Sequence, residues 1–88
     1  MRVMVIETVG NGDPNPVYAR FAERGRMLPA GVTYINSWIA EDGARCFQLM
    51  ECDSIALLQP WIDAWSDLTD FEVVPVIETA EAAERFAP

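Results

Sequence analysis

The dipeptide Asp42-Gly43 lies between the β-rich runs Thr33–Ala40 (TYINSWIA) and Arg45–Cys52 (RCFQLMEC), and it restricts the folds open to this chain more than any other feature. Asp-Gly between such runs is a strong short-range hairpin signal, because both dihedrals of a type I′ turn are tolerated there. The spacing predicts a two-residue turn with Glu41 facing Ala44, Trp38 facing Phe47 and Asn36 facing Leu49. Ile35 then faces Met50, and Tyr34 faces Glu51. One face of this ribbon carries Tyr34, Asn36, Trp38, Phe47, Leu49 and Glu51. The other carries Ile35, Ser37, Ile39, Cys46, Gln48 and Met50. A shift of one residue would exchange the two sets, since side chains alternate with period two.

The remaining elements fall on either side of the hairpin. Arg2–Thr8 (RVMVIET) is apolar on both faces, as expected of a central strand. Gly10-Asn11-Gly12 is a turn, and Asp13 followed by Pro14 reads as a helix cap with Pro at the first helical position. The helix is expected to reach about Arg26, with Val17, Phe21 and Leu28 inward and Glu23 and Arg26 outward; Pro29 and Gly31 end it. Asp53 or Ser54 caps a second helix through about Leu68, on a stripe of Ile55, Leu58, Ile62 and Trp65. Pro60 removes the hydrogen bond to the Ala56 carbonyl and should kink or divide that helix. Asp70–Glu78 reads as a strand that Pro75 confines to an edge or a bulge. Thr79 caps a last short helix, Ala80–Phe86.

The order β-α-β-β-α-β is that of an α+β, ferredoxin-like domain spanning 1–88, an antiparallel sheet with both helices on one face. Such a sheet leaves its other face bare. With 51% hydrophobic residues and three Trp in 88 residues, the chain carries more apolar surface than a small monomer can hide. A homodimer is therefore expected, sheet against sheet, closing into a dimeric α/β barrel.

The charge and the missing residue types narrow the chemistry. The net charge of −8 argues against nucleic acid and anionic membranes as partners, since both require excess cations. All six cations are Arg, with no Lys and no His, which removes imidazole bases, His–metal and His–haem ligation, and lysine Schiff bases. No metal and no cofactor is expected. Met1–Ile6 is too short for a signal-peptide core and no run approaches a membrane span, so a cytoplasmic location is expected. Cys46 and Cys52 on one strand would stand about 20 Å apart at roughly 3.3 Å per residue, too far to pair with each other.

The run Trp65-Ser66-Asp67-Leu68-Thr69-Asp70-Phe71-Glu72-Val73-Val74-Pro75-Val76, with Asp42-Gly43 and Gly31-Val32 upstream, resembles a small bacterial family of unknown function in the dimeric α/β-barrel superfamily. The resemblance covers nearly the whole chain and implies a ferredoxin-like protomer and a homodimer. Its superfamily includes cofactor-independent antibiotic-biosynthesis monooxygenases, haem-degrading monooxygenases, muconolactone-type isomerases and ligand-sensing domains, so fold alone does not carry function. In that family a His often follows the tryptophan at the place where this chain has Trp38-Ile39. Any chemistry resting on it is missing here.

Three function classes follow. In the first, a homodimer binds a small hydrophobic or aromatic molecule between sheet and helices, with Tyr34, Trp38, Trp61, Trp65 and Leu49 lining the pocket. In the second, the resemblance implies a cofactor-independent monooxygenase or isomerase in which Asn36 stabilises an oxyanion and Trp38 positions a ring. The third is a non-catalytic interaction subunit. The plainer reading of the same residues has Trp38 in the core and Asn36 satisfying backbone groups at a strand irregularity. Asp67, Asp70 and Glu72 lie at a helix-to-strand corner, where Asp is a routine turn residue. Glu7 is less usual on a central strand, and a partner such as Arg45 or Arg2 would make it a plain ion pair. Arg20 and Arg24, one helical turn apart, are expected to snorkel or pair with surface acids, with a ligand carboxylate as the alternative.

Overall fold

A computed structural model describes residues 1–86. Strands β1 (Arg2–Val9), β2 (Thr33–Ile39), β3 (Arg45–Glu51) and β4 (Thr69–Val76) form one antiparallel sheet in the order β2-β3-β1-β4. Helix α1 (Asn15–Arg24) follows β1, α2 (Gln59–Trp65) follows β3, and α3 (Thr79–Phe86) follows β4. This α+β order is consistent with a ferredoxin-like βαββαβ arrangement.

Each helix boundary has a local cause. The Asp13 carboxylate accepts from the Asn15 backbone N–H at 3.0 Å, and Pro14 stands just ahead of the first helical residue. Helix α1 stops two residues earlier than its apolar spacing suggests. Gly25 turns the chain at φ 69°, and Met27 follows in the left-handed region at φ 60°. Pro60 divides the second helical segment as its missing N–H requires, leaving a 3₁₀ turn over Ile55–Leu58 ahead of α2. The Ser54 hydroxyl accepts from the Ala56 N–H at 3.3 Å and caps that turn. Strand β4 is an edge, pairing with β1 alone, which is where Pro75 is tolerated.

The hairpin differs from the expected type I′ turn. Of its central pair only Gly43 has positive φ, at 77°, so the loop spans Glu41–Ala44 and closes on the Ala40 N–H to Arg45 carbonyl bond at 2.8 Å. A Cβ at Gly43 would fall 2.9 Å from Pro14 Cγ, so the tip of the hairpin rests against the start of α1.

Near the loop the register agrees with expectation: Trp38 pairs with Phe47 and Asn36 with Leu49. Beyond Asn36 it shifts. Ile35 is the extra residue of a β-bulge, and Tyr34 rather than Ile35 faces Met50. Tyr34 therefore moves to the opposite face of the sheet from the one its spacing suggests. The Asn36 side chain accepts from the Ser37 N–H at 2.8 Å, filling the backbone role anticipated for it at an irregularity.

The core lies on the face covered by α2. Val3 and Val5 of β1, Met50 of β3, and Leu58, Trp61 and Trp65 are buried there, with Cys52 beside them. Cys46 and Cys52 are both free thiols. The other face carries Met4, Ile6, Trp38, Phe47, Leu49, Val74 and Val76 without cover, and Trp38 is 52% exposed. Helix α3 leaves Phe86 74% exposed. No helix among the described residues is long and apolar enough to cross a membrane.

Candidate functional site

Between α1 and the sheet lies a cavity of about 300 Å³. Its roof is Val17, Tyr18 and Phe21 of α1, and Trp61 and Trp65 of α2 close one side. The floor is the helix-facing side of three strands, with Glu7 from β1, Cys46 and Gln48 from β3, and Ser37 and Ile39 from β2. Arg26, in the loop after α1, completes the rim.

The floor is where the chain departs from an apolar pattern. Along β1, alternate residues Val3, Val5, Glu7 and Val9 point inward, and along β3 Cys46, Gln48 and Met50 do the same. Glu7 and Gln48 thus occupy core positions and are only 5% and 7% exposed. A buried polar group must find a partner or destabilise the fold. The Gln48 amide donates to Glu7 Oε2, and its carbonyl oxygen accepts from Arg26 Nε at 3.0 Å. The Cys46 thiol faces the Glu7 carboxylate across the same floor. Burial nevertheless holds the Glu7 carboxyl above its ordinary range, because the bond from Gln48 and the more distant Arg26 charge only partly offset desolvation. Burial and the facing carboxylate push the Cys46 thiol up to about 11, so it is a protonated thiol rather than a nucleophile.

Arg26 is positioned by stacking. Its guanidinium carbon lies 3.8 Å from the Tyr34 ring centroid and 5.1 Å from that of Phe21. The bulge at Ile35 brings Tyr34 to this face, and the Tyr34 hydroxyl is fixed by Ser37 Oγ at 2.6 Å. The backbone is held as well, since the Trp65 indole N–H donates to the Arg26 carbonyl at 3.1 Å. Trp61 is 1% exposed, stands edge-on to Phe71 at 5.2 Å between centroids, and leaves its indole N–H without a partner among the described residues.

The anticipated site residues divide between the two faces of the sheet. Trp61 and Trp65 line the cavity, and Tyr34 stands one layer behind it beneath Arg26. Asn36, Trp38 and Leu49 lie on the opposite, uncovered face, so a single pocket holding all of them does not form. Glu7 pairs with neither Arg45 nor Arg2. Arg45 sits on the uncovered face over Phe47, and Arg2 bonds Glu78 at 3.2 Å. Arg26 points inward instead of outward, because Gly25 redirects the chain. Of the acids at the corner, Asp67 has a structural role. Asp67 receives a two-pronged bond from Arg20 at 2.7 Å on each oxygen, which straps α1 to the end of α2. Arg20 also holds the Ala64 carbonyl at 3.0 Å and lies over the Trp65 ring. Among the described residues no group of three Cys, Asp or Glu side chains could hold a metal ion.

Glu7, Gln48, Cys46 and Arg26 form the polar centre of this site. Their signal in the sequence is the interruption of an apolar period-two pattern on two adjacent strands, Glu7 among valines and Gln48 between Cys46 and Met50. The bend that brings Arg26 in has no comparable signature.

The family model for a domain of unknown function, DUF3303, matches residues 1–88, and the chain belongs to that family. No curated protein and no solved structure matches the chain.

Proposed function

We propose that this member of the DUF3303 family is a homodimer that binds a small hydrophobic or aromatic molecule between sheet and helices. The observation that carries the reading is the cavity of about 300 Å³ walled by Trp61, Trp65, Phe21 and Val17 over a buried polar floor. That volume is at the lower end of what small-molecule sites enclose, and the mix of aromatic wall with few fixed polar groups is typical of them. Two tryptophans on the wall make the test direct. Aromatic ligands should quench or shift indole emission, and Val17→Phe, which fills the cavity from α1, should abolish the response while the fold melts normally. A full response in the filled variant would overturn the reading.

The dimer rests on the uncovered face. Trp38, Ile6, Phe47, Leu49 and Met4 form an apolar surface across three strands, larger than scattered single residues account for. Its rim carries Arg2 and Arg45 together with Glu51 and Glu72, charges that a two-fold axis can set against one another. The radius of gyration, 14.3 Å, exceeds the roughly 12 Å of a compact chain of this length, as a protomer shaped for a partner would. Asn36, Trp38 and Leu49 belong to the copy-to-copy contact in this reading. Light scattering at micromolar concentration should give twice the chain mass, and Trp38→Glu should halve it; a wild-type monomer would refute the dimer.

A further inference from the structure

The arginines of this chain are not used alike. Arg2, Arg20 and Arg85 each have a carboxylate within ion-pair distance, and all three lie towards the surface. Arg26 lines the cavity and has no carboxylate within 4.0 Å among the described residues. Its Nε is committed to Gln48, while its two terminal nitrogens make no hydrogen bond to any described residue. Stacking on Tyr34 fixes the plane of the guanidinium. A planar donor fork held rigid at the rim of an apolar cavity is the geometry that recognises a carboxylate or a comparable oxyanion. The only acid in the cavity, Glu7, is reached from Arg26 through Gln48 and not directly.

We infer that the ligand of this cavity is an organic acid with an aromatic or similarly flat apolar body, its anionic group on Arg26, and that it enters together with one proton taken up at Glu7. The inference rests on the cavity's being a ligand site, and it names the class of ligand. Two negative charges sharing one small apolar space repel strongly. The titratable groups facing Glu7 are Cys46 from β3, Tyr18 from α1 and Arg26 from the loop; α2 and β4 bring none to the cavity. Cys46 is already a neutral thiol, so Glu7 is the group whose protonation relieves the repulsion. The desolvation of its carboxyl already favours the neutral form. The proton comes from solvent, becomes the O–H of the Glu7 carboxyl and is released when the acid leaves.

The test uses naphthoate and its neutral isostere naphthamide as probes, followed by indole emission and by calorimetry on the whole 88-residue chain. Naphthoate should bind at least tenfold tighter than naphthamide at about pH 6. Arg26→Gln should erase that difference while naphthamide binding persists, and a cooperative melt of the variant separates lost recognition from lost fold. Naphthoate affinity should weaken severalfold between about pH 6 and about pH 8, where naphthoate itself stays ionised, and buffers of different ionisation enthalpy should report proton uptake. Glu7→Gln should flatten that dependence. Naphthamide binding as tightly as naphthoate, or naphthoate indifferent to Arg26→Gln, would overturn the anion assignment and leave the pocket standing. A pH-independent naphthoate affinity in the wild type would overturn the proton uptake. Failure of both probes to bind would overturn the inference and count against the pocket reading as well.

Discussion

Helix α2 and the 3₁₀ turn before it seat Leu58, Trp61 and Trp65 on Val3, Val5 and Met50, whereas α1, over the same face of the same sheet, buries no residue completely. The apolar side of α1 is real. Val17 is half-buried and Phe21, 41% exposed, faces the cavity rather than a strand. What fixes α1 is polar and peripheral: the strap from Arg20 to Asp67 and Ala64, and the contact of Pro14 with the hairpin tip. A chain of this size has few large side chains to distribute. Concentrating them under α2 leaves α1 free to stand away from the sheet, and the polar pair Glu7–Gln48 lies under the part that is not filled.

That contrast can be broken most sharply by truncation. Trp61→Ala should destabilise the protein by about 3–5 kcal/mol, the range for a large aromatic removed from a packed core, and Phe21→Ala by less than about 1 kcal/mol. Chemical denaturation measures both, and equal losses would mean that the two helices are held alike. Next in size is an effect of pH. Burial holds the Glu7 carboxyl above its ordinary 4.5, so between 4.5 and that raised value the folded protein binds more protons than the unfolded chain. Stability then falls as pH rises through that window. Glu7→Gln should melt above the wild type at alkaline pH, with the gap closing as pH falls towards 4.5; a constant gap would show that the polar floor does not titrate.

The smallest expected effect is at the strap. The Arg20 guanidinium holds the Asp67 carboxyl below its usual 3.8, so its contribution is present above that value and is lost as acidification reaches the lowered one. Asp67 is open to water, and such pairs are weak and screened by salt. Asp67→Asn should lower the melting temperature slightly at low salt and hardly at all at high salt. A large loss at high salt would give the strap a greater share in holding α1 than its exposure suggests.

Much of this architecture is legible in the sequence because single residues have strong local consequences. Pro60 splits a helix, Pro75 marks an edge strand, and Asp42-Gly43 marks a hairpin, each through a backbone restriction that tertiary context cannot relax. The type of the turn was not legible, since one left-handed glycine serves a four-residue loop as well as a two-residue one. The bulge at Ile35 was legible only in part: Asn36 marks a strand irregularity, but nothing in Tyr34-Ile35-Asn36 says which residue is the extra one. The site suffered most from this. A strict alternation puts Tyr34 beside Asn36 and Trp38, and only the bulge brings it under Arg26. The inward turn of Arg26 depends on positive φ at both Gly25 and Met27, and the second of these is unusual for its residue type.

Ile35 gives this fold an unusual tolerance of a change of one codon. Downstream of it the register is pinned by the hairpin tip against Pro14, and the core pairs of β1 and β3 do not involve β2 at all. Deleting Ile35 would restore plain alternation with Tyr34 still opposite Met50 on the covered face, so the platform beneath Arg26 and the core of Val3, Val5 and Met50 would all stay in register. A length change of one residue at this position is thus absorbed by the bulge, and the ligand platform passes through it together with the scaffold.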